Sequence, residues 1–69
     1  MDTRFTESSK AALRLANEVA SELGYNYVGS EHILAGIIRE GTSAAAAALA
    51  EQGVDFDGVV EKIMQYNAP

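Results

Sequence analysis

Apolar residues in the first third of the chain recur at intervals of three and four: Ala12, Leu15, Ala16, Val19, Ala20 and Leu23. That spacing gathers them on one face of a helix. The helix is predicted to run from Glu7 to Leu23. Thr6 is its N-cap, because its hydroxyl can accept from a first-turn amide that lacks a helical partner. Glu7 complements the positive end of the helix dipole, and Gly24 stands where a left-handed C-cap is easiest. A second helix is expected over Glu31–Glu40, capped by Ser30, stopped by Gly41 and striped by Ile33, Leu34, Ile37 and Ile38. Gly36 interrupts it at a cost of about 1 kcal/mol against Ala, tolerated most easily where another helix crosses closely. A third helix, Ala44–Gln52, follows Thr42 or Ser43 and ends at Gly53; its run Ala44–Ala48 lacks bulk and suits close packing. The fourth, Phe56–Asn67, has Asp55 as N-cap, Val54 placed to staple onto Val59, and a strong apolar face of Phe56, Val59, Val60, Ile63 and Met64. Four helices, no strand and no internal repeat predict an all-α fold: a small four-helix unit forming one domain over residues 1–69.

Composition narrows what such a unit can do. The chain has 69 residues, with 10 Asp+Glu, 5 Lys+Arg and one His, for a formal net charge of −5. A chain of this size buries only about 60% of its unfolded surface and gains from any further burial. There is no cysteine, so disulfides and thiolate metal sites are excluded, and a single histidine excludes a multi-His zinc site. No metal and no cofactor are expected. Arg4, Lys10, Arg14, Arg39 and Lys62 are scattered on an acidic chain, which argues against nucleic acid and anionic membranes as partners. No apolar stretch approaches the ~18 residues of a membrane span, and Met1–Phe5 has no secretory pattern, so a cytoplasmic location is expected.

Candidate chemistry is sparse. No phosphate-binding Gly-rich loop with Lys-Ser/Thr occurs, no Gly-x-Ser-x-Gly elbow, and no cysteine nucleophile. The triplet Ser30-Glu31-His32 is the one arrangement that resembles acid–base machinery. At a helix start, however, adjacent side chains face different ways. It reads as a cap serine, a dipole-favoured glutamate and a partly buried histidine, so no catalytic residue is assigned. A binding role is chemically better founded. The helix starts at Thr6 and Ser30 present free amides suited to an anion, and Glu31 can hold a guanidinium in a bidentate pair. Of the aromatics, Phe5 and Phe56 adjoin helix starts and are expected to close the core. Tyr25 and Tyr27 are expected to pack partly and keep their hydroxyls wet.

Three stretches together resemble a known family. They are Arg4-Phe5-Thr6-Glu7, then Ala16-x-x-x-Ala20-x-x-Leu23-Gly24, then Val28-Gly29-Ser30-Glu31-His32-Ile33-Leu34-x-Gly36-Ile37-Ile38-Arg39-Glu40-Gly41. From Arg4 to about Met64 the chain is similar to one repeat of the N-terminal domain of ClpA-, ClpB- and ClpC-type chaperone ATPases, with the ClpC-like branch fitting best. The resemblance implies a four-helix repeat, normally present as a tandem pair packed with pseudo-twofold symmetry ahead of ATPase modules. It implies a non-catalytic role in receiving protein substrates or adaptor proteins for unfolding and proteolysis. In ClpC-like members it also implies recognition of phosphorylated arginine, in a pocket to which Thr6 and Glu31 correspond. A different reading is a self-associating single repeat that acts structurally or regulates Clp proteins. Leu13 off the main stripe, four large aliphatics on the short second helix and the alanine run all argue for a homodimer. A DNA-binding helix pair is disfavoured, since Ala44–Gln52 carries no Lys or Arg.

Overall fold

The computed structural model describes residues 5–69. Met1–Arg4 lie outside the described residues, and with them Arg4 of the first motif and the start of the expected domain. Four helices follow one another: α1 (Glu7–Glu22), α2 (Ser30–Glu40), α3 (Ala44–Glu51) and α4 (Phe56–Tyr66), with no strand among the described residues. The predicted boundaries hold to within one residue at every helix end. No single helix among these residues is long and apolar enough to cross a membrane.

The helix ends follow from short-range hydrogen bonding. Thr6, Ser43 and Asp55 accept from the amides of Ser9, Ala46 and Gly58 through their side chains. At the C-terminal end of α1 the Tyr25 amide reaches the Ala20 carbonyl at 2.9 Å and the Gly24 amide the Ser21 carbonyl at 3.1 Å. This paired closure needs a left-handed residue between them, and Gly24 supplies it with φ +89°.

α1 and α2 form the tightest seam. Gly36 is buried in it, and a Cβ added there would strike the Ala12 carbonyl oxygen and come within 2.7 Å of the Ala16 nitrogen. The glycine expected to mark a close crossing does so against α1. Ala12 and Ala16 face it, with Val19, Ala20 and Ala35 also buried. α4 then lays Val59 and Ile63 on this base, and Leu23, Leu34, Ile38, Val54 and Phe56 pack around the core from the sides. Arg39 ties the corner together, pairing with Glu22 at 3.1 Å and lying 5.0 Å from the Phe56 ring centroid.

Burial refines one expectation and corrects three others. The α2 stripe Ile33, Leu34, Ile37 and Ile38 is only half-buried; the buried α2 positions are His32, Ala35 and Gly36. α1 approaches so closely that only small residues fit between the helices, and the large aliphatics straddle the contact. The alanine run of α3 does not mediate close packing, because Ala46 alone is buried. α3 leaves α2 through a 93° bend and touches little besides it. Phe5 does not close the core; it is 53% exposed beside α1. Tyr25 is buried, and its hydroxyl donates to the Asn67 carbonyl at 2.6 Å instead of facing water.

Candidate functional site

Ser30 is not the cap of α2. It is the first helical residue, and the N-cap is Gly29, in extended backbone with φ −95° and ψ 176°. The cap acceptor comes from three residues further on: His32 Nδ1 accepts the Gly29 amide at 2.9 Å. This is half of a capping box, with an imidazole in place of the usual carboxylate. Because Nδ1 accepts, the ring proton sits on Nε2, which has no hydrogen-bond partner among the described residues. His32 is completely buried, not partly, since Tyr25 and Tyr27 close over it edge-on with ring centroids 4.6 and 5.5 Å away.

With His32 occupied as the cap, Glu31 is free to turn its carboxylate back over Gly29. A Cβ at position 29 would lie 2.7 Å from Glu31 Cδ and 2.9 Å from Oε2, so the glycine makes room for the carboxylate. The Asn67 side-chain amide donates to Glu31 Oε2 at 3.3 Å and also to the Tyr27 hydroxyl. The Glu31 carboxyl is held below the ordinary carboxylate range. The largest cause is its own backbone N–H; partial burial opposes the shift, and Asn67, His32 and Tyr27 reinforce it. At neutral pH Glu31 is therefore a fixed anion with neutral donors around it, in the state needed to receive a cation.

Glu31 stands at one end of a cleft of about 440 Å³ that runs along α4. Leu34, Val54, Val59 and Ile63 supply an apolar floor, Tyr66 a wall, and Asp55 the opposite end. Lys62 also borders it, but its ammonium is turned along α4, 5.7 Å from the Tyr66 ring centroid and 3.4 Å from Gln65 Oε1.

Thr6 belongs to a different element. It is exposed at the start of α1, and its hydroxyl accepts the Ser9 amide at 3.1 Å and bonds the Ser8 and Ser9 hydroxyls. It does not border the cleft beside Glu31, and no hydrogen bond joins the two residues among those described. Tyr27, Asn67 and His32 are the Glu31 neighbours that sequence reasoning did not assign. The spacing Gly29-x-x-His32 carried a signal for the third, as a cap acceptor at the fourth position of a helix start. Among the described residues no three His, Asp or Glu side chains gather as a metal site.

Comparison with known proteins decides the family. The model of the Clp repeat (R) N-terminal domain matches residues 4–68. This chain belongs to the Clp N-terminal domain family. It is 49% identical over 61 residues to the chloroplast chaperone ClpC of Pisum sativum, a match covering 88% of this chain and 7% of that protein. It is 43% identical over 60 residues to chaperone ClpB of Oceanobacillus iheyensis, covering 87% of this chain and 7% of that one. The ClpA homolog of Porphyra purpurea matches at 41% over 61 residues, or 88% of this chain and 7% of its own length. The chain thus spans less than a tenth of the curated relatives it matches. The Clp N-terminal domain of these chaperones is the module this chain represents, and its all-α fold agrees with the expected four-helix repeat.

Proposed function

We propose that residues 1–69 form a single Clp-N repeat that acts as a non-catalytic docking module. It receives protein substrates or adaptor proteins for a Clp-type unfolding and proteolysis system, without nucleic acid or membrane as partner. Within it, Glu31 takes the guanidinium of a phosphorylated arginine, and the start of α1 at Thr6 contributes to the site. The observation that carries this reading is the Glu31 carboxylate, fixed as an anion by its own amide, Asn67 and Tyr27 at the mouth of an apolar cleft. A carboxylate so oriented matches the fork of a guanidinium. Calorimetry with free phosphoarginine tests it: heat of binding with the wild type, lost in Glu31→Ala and weakened in Thr6→Ala, is expected. No heat with the wild type, or unchanged affinity in Glu31→Ala, removes the reading.

A second reading, the self-associating repeat, has its own support. Leu13 is 41% exposed, and with Phe5, Ile33 and Ile37 it borders an apolar cleft on the α1–α2 face. A twofold pairing of two copies across that face buries it. Sedimentation equilibrium and melting temperatures that rise with concentration are expected from it; a strict monomer at high-micromolar concentration excludes it.

A further inference from the structure

We infer that the cleft along α4 binds an extended peptide segment in which a bulky apolar residue stands two positions from the basic residue held by Glu31. The inference rests on the docking role proposed above and adds the substrate class. Three observations carry it.

The first is the division of chemistry along the cleft. Glu31 closes one end with a fixed negative charge, while the stretch beyond it, Leu34, Val59 and Ile63, offers no polar side chain. The Lys62 ammonium lies by Tyr66 and Gln65, and no cation pairs with Glu31 among the described residues. Asp55 at the far end is already engaged as the α4 cap, accepting the Gly58 amide, so an occupant that satisfies the rest of the surface has a cation at the Glu31 end and apolar bulk next to it. A purely apolar occupant leaves Glu31 unanswered, and a purely cationic one leaves the floor wet.

The second is length. The cleft reaches from Asn67 and Glu31, at the C-terminal end of α4, to Val54 and Asp55 at its start. An 11-residue helix is about 16 Å long, which four or five extended residues span at about 3.3 Å each. In such a segment alternate side chains share a side, so those two positions apart lie about 7 Å from one another on the cleft side. Adjacent ones point apart. Leu34, on the cleft lining, stands one helical turn beyond Glu31, about 5–6 Å away. A side chain two positions from the basic residue therefore reaches it, while one a single position away points off the cleft and one four positions away overshoots it.

The third is Tyr66, a residue 79% exposed although it borders an apolar cleft. It stands where it can close over an apolar side chain seated on the floor, exchanging two wet surfaces for one buried contact.

The test keeps the protein intact and varies the ligand. Blocked pentapeptides carry arginine, plain or phosphorylated, with Phe two positions away, Phe one position away, or Ala in both places. Affinity is read by calorimetry, and the methyl resonances of Leu34, Val59 and Ile63 by NMR. The peptide with Phe at a spacing of two is expected to bind about tenfold tighter than the Ala peptide and to shift those methyls. Tyr66→Ala, at an exposed position, is expected to narrow that advantage at least about threefold. Equal affinity of the three peptides overturns the inference. So does a methyl shift that appears when the protein alone is concentrated and that peptide cannot reverse, which assigns the cleft to a second copy of the chain. Failure of the phosphoarginine reading looks different: phosphorylation then changes nothing, while plain arginine with Phe at a spacing of two keeps its advantage.

Discussion

Two glycines bracket the first half of α2, and neither leaves room for a Cβ, yet they do opposite work. At Gly36 the missing methyl would meet backbone: the Ala12 carbonyl and the Ala16 nitrogen of α1. At Gly29 it would meet the end of a flexible side chain, the Glu31 carboxylate. Backbone in a packed seam cannot step aside without moving a helix, whereas a carboxylate can swing into water. The same residue type therefore protects the fold at one position and the site at the other, seven residues away in sequence.

The sharpest way to break this contrast is Gly36→Val. Its side chain has no place between α1 and α2, and the domain is expected to lose about 3 kcal/mol or more, read by urea denaturation. A loss under about 1 kcal/mol would mean that the seam is looser than the contacts indicate. Next in size is Tyr25→Phe. It leaves the Asn67 carbonyl without its donor and lowers the melting temperature by about 5 °C.

Gly29→Ala is expected to change stability by less than about 0.5 kcal/mol. Its backbone angles suit alanine, whose entropic gain offsets the displaced side chain. Its signature lies elsewhere: Glu31, followed by carboxyl NMR, should titrate closer to the ordinary value near 4.5. An unmoved Glu31 would show that its seat does not depend on the glycine.

The smallest effect is in the pH dependence. Glu31 is held low by its own amide first, and Glu40 by the Thr42 hydroxyl first. A carboxyl depressed on folding contributes stability that is complete above its unfolded value, about 4.5, and is lost as pH falls through the lower folded one. Tyr25 is shifted the other way, raised above 10 by burial first, so its contribution holds below pH 10 and fades as pH rises beyond it. These three groups add no pH dependence between those limits; the acid limb should be shallower in Gly29→Ala and the alkaline limb shallower in Tyr25→Phe.

The fold was legible because each helix carries its own punctuation: Thr6, Ser43 and Asp55 before the first, third and fourth, and Gly24, Gly41 and Gly53 after the first three. Those signals act over a few residues. What escaped was whatever depends on the approach of distant segments. Periodicity marks Ile33 and Ile37 as apolar but cannot say that α1 comes too close for them to be buried. Composition makes Ala44–Ala48 look like an interface, although the bend after Gly41 carries most of it into solvent. Of the candidate site, Glu31 was named from its place at a helix start and from the family resemblance. Its partners Tyr27 and Asn67 were not, because Asn67 and Glu31 are 36 residues apart and meet only when α4 docks.

That late meeting has a kinetic side. The α1–α2 seam joins neighbours in sequence and can close early, whereas the Tyr25–Asn67 bond spans 42 residues and requires the rest of the chain to be in place. Asn67 caps the C-terminal end of α4, and helix ends are where local opening is cheapest. Each opening of the α4 end takes the Asn67 donor from Glu31 and relaxes the hold on its carboxyl, while the backbone N–H, the larger cause, stays in place. Amide hydrogen exchange at Gln65–Asn67 would time that event.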